Sequence, residues 1–314
     1  MHQSPPEKQT PPTNHPFLDR QRFLGAIANA VSQTKPLAAG RKRDGRHWMR
    51  YQLALKAGVS GLRLNALETA LKYHCLVQNR IYPITTEFIL KFNEDYAESL
   101  RELDFYALKG IGTEASTLRA YQIQSQLISF DDLYPDRSPK ADDERNCYLH
   151  SFAGKRVLLV SPIADLLAER ANQPTFEGVW NKIGKSWFFP SDVIPVEIPY
   201  AMANTTRQTY STVLDLCDHI MENVSRESFD IAIIGASGLG IPLAARIKRL
   251  GKVAISIGSD LQVLFGVRGK RWRERDSWRH RYFNDFWIDV PPKYFIPEKD
   301  VMVEGGAYWW VAQR

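Results

Sequence analysis

Residues 229–272 read FDIAIIGASGLGIPLAARIKRLGKVAISIGSDLQVLFGVRGKRW, and this stretch indicates the fold. Its apolar run 231–234 is typical of a buried strand, and the glycine-rich turn 235–240 opens a helix predicted over residues 241–250. Gly251 ends that helix, and a second strand is predicted over residues 253–257. A strand, a turn, a helix and a second strand in this order are the repeating unit of a parallel α/β sheet.

The turn 235–240 is a candidate anion site, because a strand-to-helix turn points backbone N–H groups and the positive helix end at a ligand. Its spacing, GxxGxG, is neither the dinucleotide fingerprint GxGxxG nor the phosphate-binding loop GxxxxGK[ST]. Two interpretations therefore stay open. The turn holds the phosphates of a nucleotide, or its glycines only permit a tight turn and close helix packing. The phosphate-binding interpretation concerns Gly235, Ser237, Gly238 and Gly240.

The loop after the second strand favours a ligand. Gly258 and Gln262 lie just beyond the carboxyl end of that strand, where open α/β sheets place their ligand crevices. Residues 268–281 then hold seven Lys or Arg and two acids, in a chain whose net charge is +6. The run predicts an anion-facing patch, with Lys270 and Arg271 as candidate phosphate-binding residues. A solvated basic loop is the alternative, and nucleic acid ranks lower because the chain carries no recognisable nucleic-acid module.

The same residues resemble a bacterial family related to the GT-D-fold glycosyltransferases. The resemblance rests on the glycine turn, an IKxxGK helix end, a loop ending in QxLFG and a GKRW tail, followed by FNDFWI at 283–288 and VEGGAYWW at 303–310. It covers roughly the C-terminal half of the chain. It implies a GT-D-like α/β fold that binds a nucleotide sugar, and it makes Asp285 and Glu304 acid or base candidates. The aromatic residues around them suit ring stacking or a hydrophobic core.

A second candidate site lies in GVSGLRLNALE, residues 58–68, where Arg63 can clamp a phosphate and Glu68 can act as a general base. A glutamate near a helix start is also favoured by the helix dipole alone. GT-D-fold glycosyltransferases carry an R-F-G-D-G-E motif whose arginine and final glutamate match Arg63 and Glu68, while Ala66 stands at the aspartate position. One carboxylate anchors Mn²⁺ or Mg²⁺ poorly, so metal dependence is in doubt; if a metal binds, Glu68 is its candidate ligand.

The composition is that of an ordinary globular protein: 314 residues, of which 44% are hydrophobic and 24% are charged. The chain shows no apolar run long enough for a membrane span and no signal-peptide core, so we expect a cytoplasmic protein without a transmembrane segment. Its three cysteines lack CxxC or Cys/His spacing. They predict buried apolar side chains rather than disulfides or a zinc site.

Four regions are predicted along the chain. A Pro-rich disordered tail covers residues 1–16, and a mainly helical part covers 17–130, including a helix over 88–108. An acidic loop follows at 131–148. A Rossmann-like, mostly parallel α/β part then covers 149–314 with a helix from Asn204 to about Val224. Its predicted strands are 156–161, 194–199, 230–234 and 253–257.

The resulting hypothesis is a protein that binds a nucleotide-sugar donor and transfers its glycosyl group to a glycan acceptor in polysaccharide assembly. Two alternatives remain. A nucleotide-binding protein without transfer activity is favoured by Ala66, and a nucleic-acid-associated protein is favoured by the basic run.

Overall fold

The computed structural model describes residues 20–41, 46–75, 80–108, 118, 121–134, 147–184, 190–201 and 203–295. The predicted tail over residues 1–16, most of the predicted acidic loop and the candidate residue Glu304 lie outside these ranges.

In the described ranges, seven strands form one sheet in which every neighbouring pair is parallel. Their spatial order is β3-β2-β1-β7-β6-β4-β5. The strands are β1 Leu37–Gly40, β2 Phe105–Leu108, β3 Gln126–Ser129, β4 Arg156–Ser161, β5 Asp192–Glu197, β6 Ile231–Ile234 and β7 Val253–Ser256. This confirms the predicted α/β class with a parallel, Rossmann-like sheet.

Helices and a small second sheet complete the described chain. Strands β8 Val267–Arg268 and β9 Ile288–Asp289 pair in parallel. The helices are α1 Arg20–Gln33, α2 Arg46–Lys56, α3 Gly61–His74, α4 Thr86–Arg101, α5 Phe130–Leu133, α6 Ala164–Glu169, α7 Gln173–Gly178, α8 Asn204–Thr209, α9 Val213–Arg226, α10 Gly240–Arg249, α11 Asp260–Leu264, α12 Lys270–Arg273 and α13 Asp276–Arg281.

The sheet is covered on both faces, and the side chains of its central strands alternate between two hydrophobic cores. Ile231 and Ile233 of β6 belong to the core that includes α1, α6 and the aromatic residues of the C-terminal part. Ala232 and Ile234 belong to the core that includes α4, α9 and α10. Because both faces are buried, β6 reads as a continuous apolar run rather than an alternating one.

The predicted helix over residues 88–108 is wrong at its end. Helix α4 ends at Arg101, and residues 105–108 form the buried strand β2. Asp104 causes the change of direction: its backbone N–H donates to the carbonyl of Ala38, and its side chain accepts from the Ala38 N–H at 2.8 Å. These bonds align the chain with β1 directly after the helix.

The predicted helix from Asn204 to Val224 is also corrected, because the structure divides it into α8 and α9. Thr212 and Asp215 form a capping box at the start of α9, in which each side chain accepts from the backbone N–H of the other residue. A capping box satisfies two N–H donors that the first turn of a helix leaves without partners. It therefore starts a new helix inside the predicted one.

The part predicted as mainly helical, residues 17–130, also contributes three strands that the sequence analysis did not predict. Strands β1, β2 and β3 form one side of the central sheet. Each has only four residues, and apolar runs this short do not distinguish a strand from a buried helix segment by periodicity.

We expect the thermal stability of the protein to fall as the pH rises from about 9 to 12. Burial raises the pKa of Tyr82, of Tyr121 and of the Cys217 thiol to about 12 in each case. The unfolded chain loses these protons near pH 9 to 10, so above that range it binds fewer protons than the folded chain and unfolding becomes easier. Thermal unfolding midpoints between pH 8 and 11.5 test this.

The control for this pH series is Tyr121→Phe, which removes one titrating group together with its hydrogen bond to Asn93 Oδ1 at 2.8 Å. The variant should lose less stability between pH 10 and 12 than the parent protein does. A midpoint that stays constant from pH 8 to 11.5 would contradict the prediction.

Candidate functional site

The candidate site is a crevice at the carboxyl edge of the central sheet. The chain leaves β4 towards β5 and leaves the neighbouring strand β6 in the opposite direction, towards β7. Such a switch point opens a gap between the loops that follow the two strands, and ligands of open α/β sheets bind there. Most of the lining residues lie at or just after the ends of four strands, at 161–163, 198–201, 235–239 and 258–262.

One half of the crevice, the apolar chamber, is mainly aliphatic and aromatic. It comprises about 630 Å³ of space, part of it open to solvent. Ile198, Tyr200, Leu239 and Leu261 are among its lining residues, together with Ser161 at the end of β4. The Ser161 hydroxyl accepts from the Ile163 N–H at 3.3 Å, which fixes the turn after that strand.

The other half, the basic chamber, is polar and comprises about 850 Å³, again including space open to solvent. Arg41, Arg271 and Arg275 line it with Asp260 and several serines. Three residues, Ser237, Gly258 and Ser259, line both chambers and form the ridge between them.

The glycine turn contributes packing at two positions and a crevice side chain at a third. A Cβ on Gly235 would lie 3.0 Å from the carbonyl oxygen of Gly258, and one on Gly240 would lie 2.3 Å from Ser256 Oγ. These glycines therefore let the turn approach the loop after β7 closely, as the packing interpretation requires. Ser237 has a φ of 51° and lies on the ridge.

Four other predicted phosphate-binding residues take different positions. Gly258 lies on the ridge, and Gln262 lines the apolar chamber. Gln262 is buried and its Nε2 donates to the Val267 carbonyl at 3.3 Å, so it also supports the loop that leads into β8. Gly238 is buried within the turn, and Lys270 faces Glu274 at 3.6 Å.

Arg80 is a crevice residue that the sequence analysis missed. It lines the apolar chamber with only 5% of its surface exposed, and its Nη1 donates to Ser237 Oγ. The guanidinium therefore holds the side chain of the ridge serine. The available signal was an arginine directly before the apolar residues Ile81 and Tyr82.

Most cations of the basic run 268–281 are engaged within the protein. Four of them form ion pairs: Arg268 and Arg273 with Asp289, Lys270 with Glu274, and Arg279 with Asp276. Arg281 lies over the ring of Tyr282. The remaining two, Arg271 and Arg275, line the basic chamber, and Arg271 Nη1 donates to Ser259 Oγ at 3.0 Å. The run thus directs two guanidinium groups at the crevice.

Arg63 and Glu68 are not among the residues that line either chamber. Arg63 is exposed on α3. Glu68 is 2.6 Å from Lys72 Nζ and accepts from the Thr86 hydroxyl. The hydrogen bond from Lys72, followed by that from Thr86, lowers the pKa of Glu68. These contacts give Glu68 a role between α3 and α4.

Asp285, the other described acid or base candidate, is exposed in the turn before β9 and is not among the chamber-lining residues. Its neighbours stabilise that turn: the Phe286 N–H donates to Asn284 Oδ1 at 2.9 Å, and Trp287 is buried. Across the described part of the chain, Asp260 is the one carboxylate that lines either chamber. Asp260 is 5% exposed at the start of α11.

Within the described ranges, no three His, Cys, Asp or Glu side chains are grouped closely enough to hold a metal ion. None of the helices in those ranges combines the length and the apolar character needed to cross a membrane.

Comparison with known proteins gives no match to a family model, to a curated protein or to a solved structure.

Proposed function

We propose that this protein binds a nucleotide-sugar donor in the crevice and transfers its glycosyl group to a glycan acceptor, as a member of a GT-D-like branch of glycosyltransferases. The observation that carries the proposal is the crevice itself. It lies at a switch point of a parallel sheet, and arginines flank a serine and glycine ridge within it. A nucleoside diphosphate combines a flat ring system with a polyanion, and the crevice offers a surface for each.

The chemistry of transfer explains why positive charge belongs at this place. The acceptor hydroxyl forms a bond to the anomeric carbon while the bond from that carbon to the diphosphate breaks, so negative charge grows on the leaving nucleotide. Fixed donors near that charge stabilise the transition state more than the ground state. Arg41, Arg271 and Arg275 line the chamber that would hold it, and Arg80 lies on the other side of Ser237.

The proton of the acceptor hydroxyl needs a base within hydrogen-bond reach. Asp260 lines the crevice, whereas Glu68 is bound by Lys72 and Thr86. The proposal therefore gives the proton-accepting role to Asp260 and keeps Glu68, Asp285 and Glu304 as candidates from the family resemblance.

The described crevice residues do not fit a resident Mn²⁺ or Mg²⁺. A divalent cation of this kind takes several oxygen ligands, and in the described part of the chain Asp260 is the single carboxylate among the lining residues, beside three arginines.

A nucleotide-binding protein without transfer activity is the second candidate. The contacts of Glu68 favour this candidate. The carboxylate expected from the family motif binds Lys72 of α3 and Thr86 of α4 instead of lining the crevice. Turnover separates the two candidates: release of nucleoside diphosphate from a bound nucleotide sugar, in the presence of glycan acceptors, requires the transferase.

A nucleic-acid function is less well supported, because four cations of the basic run are paired internally.

A thermal-shift screen against nucleoside diphosphates and nucleotide sugars tests the proposal. A ligand that binds only the folded protein adds about 2.7 kcal/mol of stability at a concentration one hundred times its dissociation constant. We expect one nucleotide class to raise the unfolding temperature. We also expect Arg80→Gln to reduce this ligand-induced rise, since the variant removes a positive charge that lines the crevice.

The control is Arg156→Gln, which removes a half-buried arginine that faces Asp192 at 3.5 Å at the amino edge of the sheet. It should leave the ligand-induced rise unchanged. Because the rise is measured against each variant without ligand, a loss of intrinsic stability in Arg80→Gln does not affect the comparison. The absence of a response to every nucleotide would refute the proposed function.

A further inference from the structure

The basic chamber brings together guanidinium groups from separate parts of the chain. Arg41 follows β1, Arg271 belongs to α12, and Arg275 lies between α12 and α13. Strand β1 is more than two hundred residues from the other two segments, so the cluster exists only because β1 and β7 are neighbours in the sheet. The fold therefore adds the guanidinium of Arg41 to the two that the basic run 268–281 supplies.

Two of these arginines are oriented by neighbouring groups. Arg271 donates to Ser259 Oγ at 3.0 Å, and the Arg41 guanidinium lies over the Phe130 ring at 4.8 Å from its centre. An arginine has a planar fork of N–H donors that matches the oxygens of a phosphate, and a fork that is already oriented loses less freedom on binding. Ser237, Ser256 and Ser259 line the same chamber and add hydroxyl groups.

The apolar chamber has the complementary character. Tyr200, Leu239 and Leu261 line it, and Arg80, the one cation among its described lining residues, donates to the ridge serine. Aromatic and aliphatic walls suit the faces of a ring rather than a phosphate. Since the two chambers share Ser237, Gly258 and Ser259, a ligand that fills both must cross this ridge.

We propose that a nucleoside diphosphate lies across the ridge, with its diphosphate in the basic chamber and its base in the apolar chamber, and that the three arginines neutralise the diphosphate without a divalent cation. This inference rests on the proposed function for the identity of the ligand. It goes further by assigning each part of the ligand to a chamber and by naming Arg271 and Arg275 as its diphosphate-binding residues.

Inorganic pyrophosphate is the probe for the basic chamber, with binding measured by calorimetry in EDTA and again with Mg²⁺. We expect binding in EDTA. Arg271→Ala and Arg275→Ala should each weaken it roughly ten- to hundredfold, as removal of one charged hydrogen-bond donor does. Arg275 is exposed, and its backbone N–H bond to the Trp272 carbonyl remains in the alanine variant, so Arg275→Ala retains the local structure.

The matched control is Arg281→Ala, which removes the same charge from the same run at a residue that lies over Tyr282 and outside the chamber-lining set. It should weaken pyrophosphate binding by less than two- to threefold, because salt screens the effect of a charge that lies outside the chamber. Equal losses of pyrophosphate affinity in Arg275→Ala and Arg281→Ala would overturn the inference. If the protein still binds nucleotides, the proposed function remains supported. A strict requirement for Mg²⁺ would likewise overturn the inference.

Tyr200→Ala tests the apolar chamber, with Tyr200→Phe as the variant that should restore binding. The alanine variant should weaken a nucleoside diphosphate at least tenfold and leave pyrophosphate unchanged. Equal weakening of both probes would overturn the assignment of the base. Binding of pyrophosphate with no response to any nucleoside diphosphate would instead refute the proposed function and, with it, the assignment of the base to the apolar chamber.

Discussion

Replacement of Ser237 by aspartate is expected to weaken nucleoside diphosphate binding roughly a hundredfold. Ser237 lies on the ridge between the chambers, so a carboxylate there would face any bound phosphate. Like charges a few ångströms apart at a partly buried site repel by ~3 kcal/mol, which corresponds to about that loss of affinity. The new carboxylate would also accept the hydrogen bond that Arg80 donates to the serine oxygen. It would then compete with the ligand for the positive charge of Arg80.

Ser237→Asn is the matched control, since asparagine has the same size and, like aspartate, tolerates the left-handed backbone that a φ of 51° imposes. It should reduce affinity only a few fold. Calorimetry with the nucleoside diphosphate that stabilises the parent protein measures both variants. Equal affinities of the two variants would show that the ridge does not face the phosphates.

Trp180→Ala is expected to cost about 3–5 kcal/mol of unfolding free energy, the range for deletion of a buried tryptophan. Trp180 is 1% exposed, and its ring meets those of Tyr282 and Trp287 at centroid distances of 5.3 and 5.2 Å. Its Nε1 donates to the Leu264 carbonyl at 3.4 Å. The side chain thus joins the segment after α7 to the last residue of α11 and to the aromatic C-terminal part.

Urea unfolding followed by far-UV circular dichroism measures this cost. Tyr73→Ala is the control, because Tyr73 is an aromatic residue of α3 with 60% of its surface exposed and should cost less than about 0.5 kcal/mol. A cost below about 1 kcal/mol for Trp180→Ala would mean that the aromatic residues of the C-terminal part do not form a tightly packed core.

The sequence was most informative where both faces of a strand are buried. The apolar runs of β4, β6 and β7 lie between turn residues, and four of the seven strands were predicted with small shifts at their ends. The position of the crevice also followed from sequence, because the turn after β6 and the loop after β7 must lie at the same edge of a parallel sheet. Ser237, Gly258 and Arg271 were predicted site residues, and all three line the crevice.

The remaining features depend on long-range contacts that no local pattern reveals. Arg80 lines the crevice and donates a hydrogen bond to Ser237, which is far away in the chain. The basic run predicted a positively charged patch. Two of its arginines instead pair with Asp289, which lies outside the run. Strands β1 to β3 were missed because their pairing partners, rather than their own four-residue sequences, determine their conformation.

The pairing of β1 with β7 determines when the protein can acquire its site during synthesis. Residues 37–40 pair with residues 253–256, so the ribosome must add more than two hundred residues before β1 finds its second neighbour. At ordinary rates of translation this takes roughly 10–40 s, during which β1 exposes an open sheet edge that favours aggregation. Ser237, Gly258 and Ser259 belong to the segment that completes the sheet. A nascent chain therefore gains its ridge and its continuous sheet in the same late step.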